Sequence, residues 1–200
     1  SVASRGLGYV CKRQLRILWG ATWNSVSVSV LAALVAAACS VPVAVLIVRY
    51  PGILGKIVER MSFTGYALPG IVVALSLVFF GANYATPLYQ TLALLILAYM
   101  VLFLSPAVGA ARTSLLQVNP RVEDAARSLG STPPAVLASI TVPLVRPGIM
   151  AGAALVFLLT MKELPATLIL SPIGFNTLAT SIWSAASEAF FARAAAPALM

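Results

Sequence analysis

Glu123-Asp124-Ala125-Ala126-Arg127-Ser128-Leu129-Gly130, then nine residues, then Ile140-Thr141-Val142-Pro143, lies within residues 111–147, the least apolar part of the chain. That segment is too long to be a simple connector. Its residues predict short helices. Positions 121–129 favour helix with the acids placed early, and Gly130 breaks it. Pro133 and Pro134 suit the first turn of the next helix, and Pro143 and Pro147 punctuate its end. Adjacent Ala125 and Ala126 keep one helix face low, so that a partner can approach the backbone. Glu123 and Asp124 suit the positive end of the helix, and Gly130 permits the left-handed turn of a sharp exit. A second reading is open on composition alone: a solvated basic loop held near anionic lipid.

Outward from this segment the sequence turns strongly apolar. Stretches 24–48, 66–84, 88–110 and 148–170 are each long enough to cross a hydrocarbon core of about 30 Å as a helix. A fifth is expected from about Ala192. The runs are continuously apolar, whereas a barrel strand alternates, so the expected fold class is all-α, a polytopic membrane protein. Of 200 residues 60% are hydrophobic and only 9% charged, against roughly 25% charged in soluble domains. That excludes an ordinary soluble protein.

The thirteen Lys and Arg residues against five acids give a net charge of +8. This charge reads as orientation, not nucleic-acid binding. Arg49, Lys56 and Arg60 fall in loop 49–65; Arg112, Arg121, Arg127 and Arg146 fall in 111–147. Both segments are expected on the cytoplasmic side. Residues 1–23, with Arg5, Lys12, Arg13 and Arg16, then form a basic flank on the external side. Cys11 and Cys39 suggest no disulfide framework. With no Met at position 1 and an apolar stretch running to Met200, the chain is expected to be a segment of a longer one.

The spacing Glu/Asp-Ala-Ala, three residues, Gly, nine residues, Ile, any residue, hydrophobe, Pro resembles the cytoplasmic signature loop of binding-protein-dependent ABC importer permeases. Asp124 stands where that family usually has Glu, and Val142 where it has Leu. The resemblance implies a type I ABC importer transmembrane domain over residues 24–200. Within it, Glu123, Asp124, Ala125, Ala126, Gly130, Ile140 and Pro143 belong to a coupling helix and its exit. It further implies docking on a dimeric ATP-binding cassette subunit, an extracytoplasmic solute-binding protein, a second permease half, fused or separate, and a place in the bacterial inner membrane.

Two further motifs stand after the loop. Gly148 and Gly152 are spaced for close helix approach, or else simply open a span. Lys162-Glu163-Leu164-Pro165 falls about 21 Å along a helix begun at Gly148. An ionisable pair at that depth is a candidate translocation-path element, and Pro165 frees a carbonyl there; alternatively both charges bond neighbouring helices. The run 162–180, with Ala67-Leu68-Pro69-Gly70, is similar to ferric-iron importer permeases, except that Ser171 stands where those commonly carry Arg. Permeases for thiamine, phosphonate or polyamine are the rival transport readings.

A membrane enzyme or a passive structural protein is the reading from another class. There is no His, so Ser62, Ser76 and Ser105 have no imidazole base, and Glu59, Glu163 and Glu188 fall in three different segments. No phosphate-binding loop occurs, so ATP and Mg are expected on a partner ATPase, with no cofactor and no metal held by this chain. A high-affinity ferric site is not expected here, which places affinity in the solute-binding protein.

Overall fold

The computed structural model describes residues 2–50 and 52–187. Within them every regular element is helical. Helix α1 (Val2–Arg49) is followed by α2 (Ile53–Ala67) and α3 (Gly70–Asn83), a 3₁₀ turn at Thr86–Leu88, and α4 (Leu92–Gln117). Then come α5 (Pro120–Ser128), α6 (Pro133–Val136), a π-helical turn at Leu137–Thr141, α7 (Val142–Met161), α8 (Pro165–Leu170) and α9 (Leu178–Ser187).

Among the described residues, three helices are long and apolar enough to cross a membrane: Leu18–Arg49, Leu92–Gln117 and Pro133–Met161. Counting the bent pair α2–α3 as one span makes four. Helices α1, α4 and α7 pack most extensively on one another. Alanines dominate the α1 side of this core, with Ala32, Ala33 and Ala36 meeting Leu95, Ala98, Tyr99 and Leu102 of α4. Small residues let backbones approach where lipid supplies no hydrophobic drive for association. The same device joins α4 to α7. A Cβ on Gly152 would stand 2.9 Å from the Ala107 Cα, and one on Gly148 would meet Ser114 and the Ala110 carbonyl. Close approach is therefore the role of this glycine pair. A smaller cluster, Ala44, Ala111, Leu115 and Val145, packs the same three helices at the end nearest α5.

Several boundaries differ from expectation. The first apolar helix begins at Leu18, not 24, and continues without a break from the helical backbone of the flank that was expected as a loop. Residues 53–65, expected within the loop 49–65 that holds Lys56 and Arg60, form most of α2. This helix carries its charges at one end, where Glu59 Oε1 meets Arg112 Nη1 at 2.8 Å. At the other end Gly65 lies against the Val101 backbone. The span expected at 66–84 is thus α3 with only the last two residues of α2, and α2 and α3 meet at a bend of 107°. Leu68 is extended there because a residue before proline is driven out of the α region, and Pro69 is extended with it. Helix α4 starts at Leu92 rather than 88, capped by Thr91, whose side chain accepts from the Leu94 N–H, and runs on to Gln117. The helix expected over 148–170 instead starts at Pro133 and stops at Met161. The fifth span expected from about Ala192 lies outside the described residues.

Candidate functional site

At the end of α4 the chain turns through Val118 and Asn119 into α5. The Asn119 side chain accepts from the Arg121 N–H at 3.0 Å, and Pro120 fills the first helical position, where no N–H is needed. The exit is equally defined. The Gly130 N–H donates to the Arg127 carbonyl at 3.0 Å, and the Ser131 N–H donates to Ala126 at 3.1 Å. This is the paired-bond termination that needs a left-handed residue, and Gly130 has φ +90°.

Glu123 and Asp124 separate sharply. The Glu123 side chain is 4% exposed and that of Asp124 67%. Arg49, the last residue of α1, donates from Nε to Glu123 Oε2 at 3.1 Å and from Nη2 to Oε1 at 3.1 Å. Its Nη2 also donates to the Val118 carbonyl at 3.1 Å. Thr141 Oγ1, in the π turn, donates to Glu123 Oε1 at 3.1 Å. Asp124 faces out and pairs only along its own helix, with Arg127 Nη1 at 3.0 Å. Ala125 and Leu129 share this exposure, Leu129 at 87%. The helix therefore turns one charge, Glu123, inward and leaves Asp124, Ala125 and, just past its end, Leu129 outward.

Ile140 is half-buried in the π turn and Pro143 is exposed at the second position of α7. Pro143 has no N–H for the carbonyl of Ser139, and the Val142 N–H reaches back five residues to the Leu137 carbonyl. A cleft of about 190 Å³ lies beside this network, lined by Arg49, Tyr50, Glu123, Arg127, Pro133 and Thr141 among others.

A second place of interest lies at the other end of α7. Lys162 is not inside a continuous helix but caps α7, is exposed, and makes no ion pair among the described residues. Helix α8 begins at Pro165, and Glu163 Oε1 accepts the Ala166 N–H of its first turn at 3.2 Å. The break stays at the level of the middle of α4, because Tyr99 and Thr167 join hydroxyls at 2.7 Å. It also faces the other broken span: a Cβ on Gly70, at the start of α3, would stand 2.6 Å from Glu163 Oε1. Glu163 thus holds the start of α8, and Lys162 has no ion-pair partner among the described residues. Among the described residues no three His, Cys, Asp or Glu side chains gather as metal ligands.

The sequence does not single out Arg49 or Thr141, and Gly70 enters only as part of Ala67-Leu68-Pro69-Gly70. Arg49 counts there only as a loop cation, Thr141 occupies the unspecified position between Ile140 and Val142, and nothing marks Gly70 as the neighbour of Glu163.

The fold and the two-faced helix define a class. Residues 20–200 match the family model of the binding-protein-dependent transport system inner membrane component, and the chain belongs to this family. It is 41% identical over 177 residues to the Fe(3+)-transport system permease protein FbpB 2 of Haemophilus influenzae. That match covers 88% of this chain and 35% of the relative, so the chain spans about a third of that protein's length. It is 28% identical over 181 residues to the 2-aminoethylphosphonate transport system permease protein PhnV of Salmonella typhimurium, covering 88% of the chain and 68% of the relative. The solved MetNI methionine ABC transporter, in an inward-facing crystal form, superposes with TM-score 0.68 at 16% identity over 92% of this chain and 89% of that one. The architecture is that of a type I ABC importer transmembrane domain.

Proposed function

We propose that this chain is the permease element of an ATP-driven importer of ferric iron, a multi-pass protein of the bacterial inner membrane. The observation that carries the coupling part is the outward face of α5, with Asp124, Ala125 and Leu129 exposed on a helix fixed at both ends. A free apolar group beside a small side chain and an exposed carboxylate suits docking in a groove of a dimeric ATPase, which binds ATP and Mg and does the hydrolysis. This chain contributes no catalytic residue and holds no cofactor. Glu123, Ala126, Gly130, Ile140 and Pro143 shape the helix and its exit.

The substrate part rests on the similarity to the iron permease of Haemophilus influenzae. Cargo arrives on an extracytoplasmic solute-binding protein and passes between this chain and a second permease half. Lys162, Glu163 and Pro165 stand beside that path, where two broken helices meet and backbone groups are free to line a cavity. Affinity resides in the binding protein, and the path holds cargo weakly enough to release it.

The test is uptake of radiolabelled ferric iron in cells lacking the intact protein, complemented by wild type or by Gly130→Asp at equal membrane abundance. Wild type restores uptake and the variant does not. Failure of wild type to restore iron uptake, with restored uptake of 2-aminoethylphosphonate, would move the substrate to the phosphonate class.

A further inference from the structure

The coupling helix is held to the membrane spans by charge rather than by apolar packing. Its inward side chain is Glu123, and the elements it reaches are distant in sequence: the last residue of α1, 74 positions away, and the π turn that opens the α7 span, 18 positions away. Arg49 binds the carboxylate through two nitrogens and also holds the Val118 carbonyl at the end of α4. The carboxylate therefore joins α5 to the end of α1 and to the turn that opens α7, and Arg49 extends the network to the end of α4. Arg127 adds a longer contact, 3.9 Å from Glu123 Oε2.

From this geometry we infer that Arg49, Glu123 and Thr141 form a clamp that carries displacement of α5 into α1 and α7, with Glu123 and Thr141 as positioning residues for transport. The inference rests on the docking role proposed for the outward face. Apolar contacts alone would let a nine-residue helix slide over its neighbours, since dispersion has no preferred direction. A bidentate Arg–carboxylate pair fixes both distance and orientation. Burial makes release costly, because each charge would be left without its partner in a place water reaches poorly. The Thr141 hydroxyl reaches the carboxylate from the π turn, where the helix is locally widened. Arg49, Glu123 and Arg127 also line the adjacent cleft of about 190 Å³, so the network borders open space as well as packed helices.

The test uses the intact transporter with its ATPase and binding protein in proteoliposomes, normalised to ATPase content, and reads substrate taken up per ATP hydrolysed. Glu123→Gln and Thr141→Val should each lower this ratio by about 2- to 30-fold, the range of coupling changes produced by residues between two sites. Thr141→Val keeps the ion pair and nearly the same volume, so it answers the question even if Glu123→Gln does not insert. Arg49→Ala with Glu123→Ala should lose no more than the worse single variant, because the two act as one unit. Unchanged uptake per ATP in Thr141→Val and Glu123→Gln, or losses that multiply in the double variant, would overturn the clamp. Leu129→Asp tests the reading beneath it. If that variant releases the ATPase while the clamp variants keep full coupling, only the clamp falls. If it retains the ATPase with full coupling, the docking face is wrong and the clamp falls with it.

Discussion

Two adjacent carboxylates, Glu123 and Asp124, carry opposite duties because consecutive helical residues point about 100° apart. Removing Glu123 leaves the Arg49 guanidinium, itself largely buried, without its partner. Glu123→Ala should therefore destabilise the protein by about 3–5 kcal/mol, read as a lowered melting temperature in detergent. Asp124→Ala should change stability by less than about 1 kcal/mol, since its pairing with Arg127 is exposed. The sequence shows both acids but not which is buried, because the deciding neighbour, Arg49, lies at the end of another span. Gly130 was legible, since a helix of this composition needs a left-handed exit and only glycine takes it freely. Gly130→Val meets no neighbour, but at φ +90° it should cost about 1–2 kcal/mol in backbone strain alone.

Among the elements, the spans were legible as apolar runs but their ends were not. Charges at 56, 59 and 60 read as a loop, yet α2 tolerates them because Glu59 finds Arg112 on α4. The α7 helix was expected to run on through Lys162, but Pro165 cannot donate into a continuing helix, and α8 starts afresh there. Helix contact makes the glycines unequal. Gly152→Val would push against the α4 backbone at Ala107 and should cost about 1–3 kcal/mol, seen as reduced folded yield in the membrane. Gly109, with open space around it, should accept alanine with a gain of up to about 1 kcal/mol in the same assay. Gly70→Ala should destabilise through the Glu163 carboxylate. Pairing it with Glu163→Ala should recover part of the loss, which independent sites would not show.

For the whole molecule, three packed helices separate two breaks in regular structure. At one end of α7 lies the charged network around Glu123, and at the other the meeting of the α2–α3 and α7–α8 interruptions. The twenty residues of α7 span about 30 Å, so one helix closely packed on α4 connects the two places. That arrangement suits a machine in which force enters at one end and a path opens at the other. The membrane class and the signature loop could be read from the residues, because both rest on local pattern. The true limits of α7 and the clamp could not, because they depend on contacts between distant elements.

The docking proposed for the outward face of α5 places Leu129 against the ATPase. It is tested most directly by placing a single cysteine at Leu129, with Cys11 and Cys39 replaced by serine, and cross-linking the intact transporter with a short thiol-to-amine reagent. An adduct with the ATPase should form at Leu129→Cys and not at Leu158→Cys, an exposed position on α7. An ATPase that co-purifies yet gives no adduct at Leu129, or reacts equally at Leu158, would contradict the account.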